Sequence, residues 1–400
     1  MSKVNLFSRI KIRGITFENR IWVSPMSMYN AEEGTILSRT KNKKYSDKKL
    51  ETGFVNDFHL VNYGMKCFGA GAITVEGTSI SEEGRITIGD LGIYRDEHIE
   101  GHKRIVDFVR KNSTAKVGVE LSHAGRKAST FKPYGERQSI IPLDEGGWTQ
   151  LSPSESPFVP SWRKPKVLTE EKIKDIIHDE WVGCVRRCKA AGYDYILLHA
   201  GFGFLIHQFL SPLSNCRTDK YGGSLHKRHT FLLELVEAIR KEWEKPLFVR
   251  IASEDGAEGG SGVEDAVMLC ESLQKSGVDL VDVSGGGIVP NSFNFTASMD
   301  ELSHKMKKAL PQFPMSVCGG ITTPEKVNEI VSEGKADAAV IARQFLRDPL
   351  FALNAAKKYN QFVEWPIEWG YALDPVHHKP TSEKKKLKEE LRNKFGESKH

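Results

Sequence analysis

Short apolar segments alternate with longer amphipathic segments along most of the chain. Eight of the apolar segments have the length of a strand, and YILLHA and LFVRIAS are apolar almost without interruption. Strands of this kind are typical of a parallel sheet that is buried on both faces. The predicted strands are Ile21 to Pro25, Ala72 to Gly77, Lys116 to Leu121, Asp194 to His199, Leu247 to Ala252, Asp279 to Ser284, Met315 to Gly319 and Asp337 to Ile341.

The segments between these strands carry helix signals. In the segment from Glu170 to Ala191, Thr169 is suited to cap the helix, and Glu170 and Glu171 favour the positive end of its dipole. Eight such strand and helix units predict an α/β fold, a (β/α)8 TIM barrel that occupies residues 1–372. A hairpin around Gly14, in KIRGITFENR, is expected to plug the bottom of the barrel.

Two insertions and a charged tail interrupt this pattern. Residues 32–50 and residues 126–167 follow strand ends on the face where barrels place their active sites. The second insertion is either a lid or an inert surface loop. Residues 373–400 are charge-dense and are predicted to form a flexible tail.

Composition narrows the class of protein. The 400 residues are 39% hydrophobic and 27% charged, and no apolar run approaches the ~18 residues that a membrane span needs. The net charge of +5 is spread along the chain and is increased by the tail, which argues against a nucleic-acid partner. The six cysteines form no CxxC pair, so we expect packed, reduced thiols, no metal site and a cytoplasmic location.

Polar residues at the predicted strand ends are the candidates for chemistry, because these ends face the active site of a barrel. They include Ser24 to Tyr29 after the first strand, Glu120 in the third and His199 in the fourth. Arg250 lies inside an apolar strand, where an unpaired charge is costly. Its partner is either a structural ion pair on a neighbouring strand or an anionic ligand.

Glycine-rich turns follow the sixth and seventh strands. Ser284 and Gly285 begin the first turn, Gly319 and Gly320 form the second, and Arg343 follows the eighth strand. Backbone N–H groups in such turns approach a phosphate closely, so the combination predicts a phosphate cradle. The chain contains no GxGxxG motif, which argues against a separate Rossmann module.

A motif in the middle of the chain resembles the signature of the old yellow enzyme family. It consists of HQFLSP at 207–212, Asn215, Arg217, Asp219, YGGS at 221–224 and Arg228. The similarity extends over roughly residues 5–370, through NRIWVSPMSMY, LSHAGRK, PLFVRIAS and IARQFLRDP, and is nearest to the branch of small bacterial NADPH dehydrogenases. The resemblance implies FMN at the top of the barrel, reduced by NADPH or NADH. The flavin then passes hydride to an activated alkene, and a tyrosine supplies the proton.

The resemblance also implies roles for individual residues. His199 and Tyr29 would be catalytic and would contact a small-molecule substrate, together with Phe202 and Phe204. Arg250 would face flavin N1 and O2, and Ala342 and Arg343 would hold the phosphate. The residues expected to bind FMN are Ser24, Pro25, Met26, Ser27, Gly77, Glu120, Arg250, Ser284, Gly285, Gly319, Gly320, Ala342 and Arg343.

Several positions depart from the family pattern. Glu120 replaces a glutamine beside the flavin, and it should either be protonated or lower the reduction potential. Phe202 replaces a second donor to the substrate, and Phe204 replaces the tyrosine that donates the proton. Ser27 replaces a flavin-tuning cysteine. Near Tyr371 the arginine that reaches a neighbouring subunit's site is missing.

These observations predict an FMN-dependent NAD(P)H oxidoreductase whose acceptor is an alkene, a quinone or oxygen, with weakened ene-reductase chemistry. Tyr29 or Tyr371 are the candidates for a substitute acid. One alternative is a redox-neutral alkene isomerase, and another is a catalytically impaired barrel that binds FMN or another ligand. The oligomeric state, monomer or homo-oligomer, stays open.

Overall fold

The structure is a computed structural model that describes residues 5–31, 52–135, 137–292, 294–366, 368–369 and 389. The first predicted insertion, Tyr371 and nearly all of the predicted tail lie outside the described residues. The division between residues 1–372 and the tail therefore stays a prediction.

Eight parallel strands form a closed barrel, as the sequence predicts. The neighbours around the barrel are β10-β11-β12-β3-β4-β5-β8-β9. Each strand lies within two residues of its predicted bounds. The barrel strands are β3 (Ile21–Val23), β4 (Ala72–Ser79), β5 (Lys116–Ser122), β8 (Tyr195–Ala200), β9 (Leu247–Ala252), β10 (Leu280–Ser284), β11 (Met315–Cys318) and β12 (Ala338–Ile341).

Helices connect the barrel strands. They are α1 (Asp57–Lys66), α2 (Ile99–Asn112), α3 (Glu170–Asp175), α4 (Val182–Ala191), α5 (Leu205–Leu210), α6 (Leu225–Arg240), α7 (Val263–Lys275), α8 (Met299–Ala309), α9 (Pro324–Ser332), α10 (Arg343–Arg347) and α11 (Phe351–Lys358).

The segment predicted to be helical, Glu170 to Ala191, contains one π-helical turn. Thr169 caps its start as expected, because its side chain accepts a hydrogen bond from Lys172 N. A π-helical turn, Ile176–Trp181, separates α3 from α4. This wider turn buries Ile176, Ile177 and Trp181. The predicted helical segment is therefore confirmed over its full length, with one π-helical turn inside it.

The predicted hairpin closes the bottom of the barrel. Strands β1 (Ile10–Ile12) and β2 (Ile15–Phe17) pair antiparallel around Arg13 and Gly14, whose φ angles are +40° and +80°. Both turn residues are therefore left-handed, as a two-residue hairpin turn requires. Phe17 packs in one apolar cluster with the barrel-interior aromatic side chains Trp22, Tyr195 and Phe248.

The insertion at 126–167 is fixed to the rest of the molecule. It contains two short parallel strands, β6 (Leu151–Ser152) and β7 (Lys166–Val167). Arg126 donates to the carbonyl oxygens of Ile288 and Ser156, and Trp148 Nε1 donates to Glu83 O. A lid function for this insertion stays a prediction.

All six cysteines are free, and Cys184 and Cys188 are buried in α4, so the prediction that they are packing residues is confirmed. None of the helices in the described ranges is long and apolar enough to cross a membrane.

Candidate active site

Charged side chains meet inside the barrel near the C-terminal ends of its strands. Strand register places Asp282 directly beside Arg250. Arg250 Nε donates to Asp282 Oδ2 at 2.6 Å, Nη1 donates to Glu120 Oε1 at 3.2 Å and Nη2 donates to Ser24 Oγ at 3.1 Å. The buried arginine thus has a structural ion pair on a neighbouring strand, one of the two alternatives that its position in the sequence left open.

The ion pair does not use every N–H donor of Arg250. A guanidinium group has five N–H donors. Three form these hydrogen bonds, and Nη2 also lies 2.6 Å from Asp282 Oδ2, which leaves at least one N–H group on Nη1. Burial alone would lower the pKa of Arg250, but the charges of Asp282 and Glu120 raise it above the ordinary value. The group is therefore a permanent cation with a donor still available.

Glu120 shares this cation with a second carboxylate. Burial raises the pKa of Glu120 to about 7, Arg250 acts in the opposite direction, and Asp282 raises it further. Arg250 lies nearer to Asp282 than to Glu120, so its positive charge stabilises the Asp282 carboxylate more than the Glu120 carboxylate. Glu120 is consequently a weaker acid than a free glutamic acid, which favours the protonated form that the sequence left open.

A bulge between β4 and β5 brings further predicted site residues together. The register runs from Val75 opposite Val119 to Thr78 opposite Leu121, so Glu76 and Gly77 face a single residue, Glu120. A Cβ atom on Gly77 would lie 3.2 Å from Ser27 Oγ and 3.5 Å from Glu120 Oε2. The structure therefore groups Ser27, Gly77 and Glu120. Such bulges often redirect side chains beside active sites.

Glu76 is a buried acid that the sequence reasoning missed. Its Oε2 accepts a hydrogen bond of 2.6 Å from Met28 N, and its Oε1 accepts one of 2.9 Å from the Tyr63 hydroxyl. Burial raises the pKa of Glu76 to about 7. Its contact with Met28 fixes the segment after β3 that contains Ser24, Pro25, Met26 and Ser27.

His199 lies at the end of β8 with two phenylalanines against it. Its ring is edge-on to Phe202 at 5.8 Å and to Phe204 at 4.5 Å between centroids. Gly201 N donates to Nδ1 at 3.3 Å, so the proton of the neutral ring is on Nε2. Burial, with the charges of Arg250 and Lys127, holds the pKa of His199 well below its usual range. His199 is a neutral N–H donor, grouped with Phe202 and Phe204.

The backbone around Phe202 is tightly constrained. Phe202 has φ +50°, which is rare for an aromatic residue. Gly203 has φ +75°, and a Cβ there would lie 2.0 Å from Gly287 O. The turns after β8 and β10 therefore pack back to back, and glycine is required at 203.

Lys127 lies beside this pair of turns and was also missed by the sequence reasoning. Its Nζ donates to Phe202 O at 2.8 Å and to Gly287 O at 3.3 Å. The same nitrogen lies 4.5 Å from the Phe158 ring centre and 5.4 Å from that of Phe204. Lys127 belongs to the LSHAGRK segment that carries part of the family resemblance, but no apolar run marks it as buried.

Tyr29 packs against Tyr134. It has φ +54°, its ring packs against Tyr134 at 6.3 Å, and its carbonyl oxygen accepts from the Tyr134 hydroxyl. Burial, followed by the charges of Asp90 and Glu76, raises the pKa of Tyr29 above its ordinary value. It is therefore a weaker acid than a free tyrosine.

The predicted phosphate residues divide into two groups. Gly319, Gly320 and Arg343 are exposed. A Cβ on Gly320 would meet nothing within 4 Å, whereas one on Gly319 would lie 2.6 Å from Met299 Cγ. Ser284 and Gly285 are buried, and a Cβ on Gly285 would lie 2.7 Å from Phe295. Only the first group, with partly exposed Ala342, forms an open turn. Phosphate contacts by Ser284 and Gly285 stay predictions that this packing does not favour.

A family model described as NADH:flavin oxidoreductase / NADH oxidase matches residues 5–361. The chain belongs to this family. An NADPH dehydrogenase of Bacillus velezensis is 36% identical over 369 residues, which cover 92% of this chain and 98% of the relative. An NADPH dehydrogenase of Bacillus subtilis is 35% identical over 370 residues, covering 91% and 98%.

Solved structures share the fold of this old yellow enzyme family member. Morphinone reductase superposes with a TM-score of 0.71 at 20% identity, covering 91% of each chain. A 2-naphthoyl-CoA reductase superposes with a TM-score of 0.74 at 23% identity, covering 88% of this chain and 52% of the other.

The residues in the barrel fit FMN. A remaining N–H group of Arg250 would suit an acceptor atom such as N1 or O2, and a carboxyl group at Glu120 would accept from N3–H. The open turn at Gly319 and Gly320, with exposed Arg343, suits a phosphate. The match in donors and acceptors supports one FMN per chain.

The family signature itself has a structural role in this chain. His207 Nε2 donates to Asp255 Oδ1 at 2.8 Å, and Ser211 Oγ donates to Asp255 Oδ2 at 2.7 Å. Asn215 donates to the carbonyl oxygens of Phe209 and Tyr221. These buried contacts fix the segment after β8 and thereby the positions of Phe202 and Phe204.

Proposed function

We propose that this FMN-dependent NAD(P)H oxidoreductase delivers hydride to a flat, apolar acceptor that carries a conjugated carbonyl group, an enone or a quinone. The observation that carries the proposal is the state of His199, a neutral ring whose Nε2–H is available while Gly201 holds Nδ1. Such a donor polarises a carbonyl oxygen and stabilises the negative charge that develops on it.

The surroundings of His199 select the shape of the acceptor. Phe202 and Phe204 present aromatic surface beside the donor and are only partly buried. Aromatic walls bind planar apolar groups well. A conjugated ring with one carbonyl oxygen directed to His199 satisfies both requirements.

Phe202 and Phe204 also weaken the chemistry. With Phe202 there is no second donor to the carbonyl oxygen, which costs about 1 to 3 kcal/mol on the scale of one lost oxyanion donor. Phe204 has no hydroxyl, so the proton for the acceptor comes from another group or from solvent. A quinone or dioxygen tolerates these changes better than an alkene, because the proton is added to oxygen.

Bound FMN supplies reversible hydride transfer between the nicotinamide and the acceptor. The chain itself supplies the surroundings: Arg250 neutralises negative charge beside the cofactor, Glu120 adjusts that charge, and Gly319, Gly320, Ala342 and Arg343 hold the phosphate. The names of the bacterial relatives support NADPH as the electron donor. A small-molecule acceptor and a cytoplasmic location complete the proposal.

The test is an anaerobic absorption experiment on the purified protein. We expect a flavin spectrum, loss of its visible band on addition of NADPH, and recovery on addition of 1,4-benzoquinone or 2-cyclohexenone. His199→Ala should slow recovery with cyclohexenone by about 100-fold. A protein that takes up no FMN, or whose flavin NADPH does not reduce, would overturn the proposal.

A further inference from the structure

Lys127 lies at the edge of the proposed acceptor pocket. In the described part of the chain no carboxylate forms an ion pair with its Nζ, whose hydrogen bonds go to Phe202 O and Gly287 O. An ammonium group has three N–H donors, so one remains. This donor lies among Phe158, Phe204 and the carbonyl groups of two tight turns.

Lys127 lies beside Phe204, the residue that has no hydroxyl group to donate a proton. Phe204 is edge-on to His199, and Lys127 Nζ lies 5.4 Å from the centre of the Phe204 ring. Lys127 and the His199 donor thus share Phe204 as a neighbour. The charge of Lys127 also lowers the pKa of His199, so an acceptor lying against Phe204 would be next to both groups.

We propose that Lys127 is the catalytic acid of the oxidative half of the reaction, in place of the hydroxyl that Phe204 lacks. This inference rests on the proposed function. It assigns to the enone acceptor a proton source within the chain.

With an enone, bound reduced FMN would supply a hydride to the β-carbon. The π electrons would move to the carbonyl oxygen, where His199 Nε2–H would stabilise the enolate. A proton leaves Lys127 Nζ for the α-carbon, which forms a C–H bond and restores the carbonyl group. The neutral amine then takes a proton from water.

The charges around Lys127 support this role. Burial lowers the pKa of Lys127 to about 8, and the adjacent charge of Arg126 lowers it further. An acid with a pKa near the working pH is the most effective donor. His199, the other titratable group beside it, is neutral and keeps its Nε2 proton, and Tyr29 is a weaker acid because burial raises its pKa.

The kinetic test compares Lys127→Met and Lys127→Arg with the wild type. Both should reduce FMN with NADPH, and both should reoxidise with cyclohexenone about 100-fold more slowly at neutral pH. Arginine keeps the cation and its hydrogen bonds but holds its proton too firmly to act as an acid. Recovery with oxygen should change much less, because that reaction protonates no carbon.

Rescue separates an acid from a structural cross-link. Adding Phe204→Tyr to Lys127→Met should restore most of the cyclohexenone rate, whereas Phe204→Leu should not. If the two Lys127 variants keep the wild-type enone rate, or if tyrosine fails to rescue a folded, FMN-loaded Lys127→Met protein, the acid assignment is wrong. Failure of the proposed function would appear earlier, as a wild-type flavin that NADPH cannot reduce.

A second measurement does not depend on turnover. The acylation rate of the Lys127 amine, read by mass spectrometry of its peptide across a pH series, gives its titration directly. We expect a midpoint near the pKa of about 8 that burial and Arg126 produce. A midpoint above about 10, the value of an unperturbed lysine, would overturn the proposal.

Discussion

At the scale of single residues, the centre of the site is one cation between two carboxylates. Arg250 binds Asp282 at 2.6 Å and Glu120 at 3.2 Å, all nearly fully buried. Glutamine at 120 would leave one cation and one carboxylate. Glutamate adds a charge that depends on pH, and this separates the chain from the family pattern.

Replacing Glu120 with glutamine should therefore change how stability depends on pH. The pKa of Glu120 is raised to about 7 in the folded protein, so its protonated form is the stable one. Its contribution to stability is complete below about pH 4.5 and is lost as pH rises through about 7. In urea unfolding, the free energy of unfolding of Glu120→Gln relative to the wild type should increase between about pH 5 and pH 8, by up to about 3 kcal/mol.

Exposed Glu171 offers the matched control, since Glu171→Gln removes a surface charge outside the barrel. A constant difference between Glu120→Gln and wild type across this range would contradict the pKa shift. The same variant should raise the FMN reduction potential at high pH, where the wild-type carboxylate is ionised.

Phe202 is a second residue at which one substitution should change two properties. Asparagine tolerates a positive φ better than phenylalanine and adds an amide donor beside His199. We expect Phe202→Asn to increase the cyclohexenone reoxidation rate by about tenfold without loss of stability. Phe202→Leu, which adds no donor, is the control, and equal enone rates for the two variants would show that residue 202 does not contact the carbonyl group.

Sequence predicts some of these residues and not others, for physical reasons. Arg250 was identified because a charge inside an apolar strand is unusual, and Asp282 carried the same signal in LVDVS. Lys127 lies in a polar loop segment, and its partners at 202 and 287 are far away in the chain. Only the packing of two turns buries it, and no local pattern records that packing.

At the scale of elements, the strands follow from sequence and the irregular turns do not. Continuous apolar runs fix each barrel strand to within two residues. The π-helical turn at Ile176–Trp181 and the bulge at Glu76 and Gly77 each depend on tertiary packing. The bulge matters most, because it places Gly77 toward Glu120.

The hairpin offers a prediction at this scale. Phe17 is fully buried against Trp22, Tyr195 and Phe248 at the bottom of the barrel. Phe17→Ala should lower the free energy of unfolding by about 3 to 5 kcal/mol, as large-to-small changes in cores do. Phe17→Leu should cost less, and denaturant unfolding measures both. If FMN binding is lost while the Phe17→Ala protein stays folded, the hairpin has a role in the site that its position does not suggest.

At the scale of the whole molecule, the two ends of the barrel have different tasks. The lower end is closed by aromatic side chains, and the upper end carries every polar group assigned to chemistry. The order of strands and helices was sufficient to predict this division, because all (β/α)8 barrels place their sites at the same end. The identity of the acceptor depends on loops whose packing the sequence does not encode locally.

The closed lower end of the barrel affects how the two reactants reach the site. Because the hairpin and its aromatic cluster close the lower end of the barrel, we expect NADPH and the acceptor to bind from the upper end and to compete for the same site. The oxidised nicotinamide must therefore leave before the acceptor binds, and the two reactants occupy the site in turn. Initial rates measured with varied NADPH at several benzoquinone concentrations should therefore give parallel double-reciprocal lines. At high concentration each reactant should inhibit, because it binds the form of the enzyme that reacts with the other. Intersecting lines would mean that NADPH and benzoquinone bind at the same time.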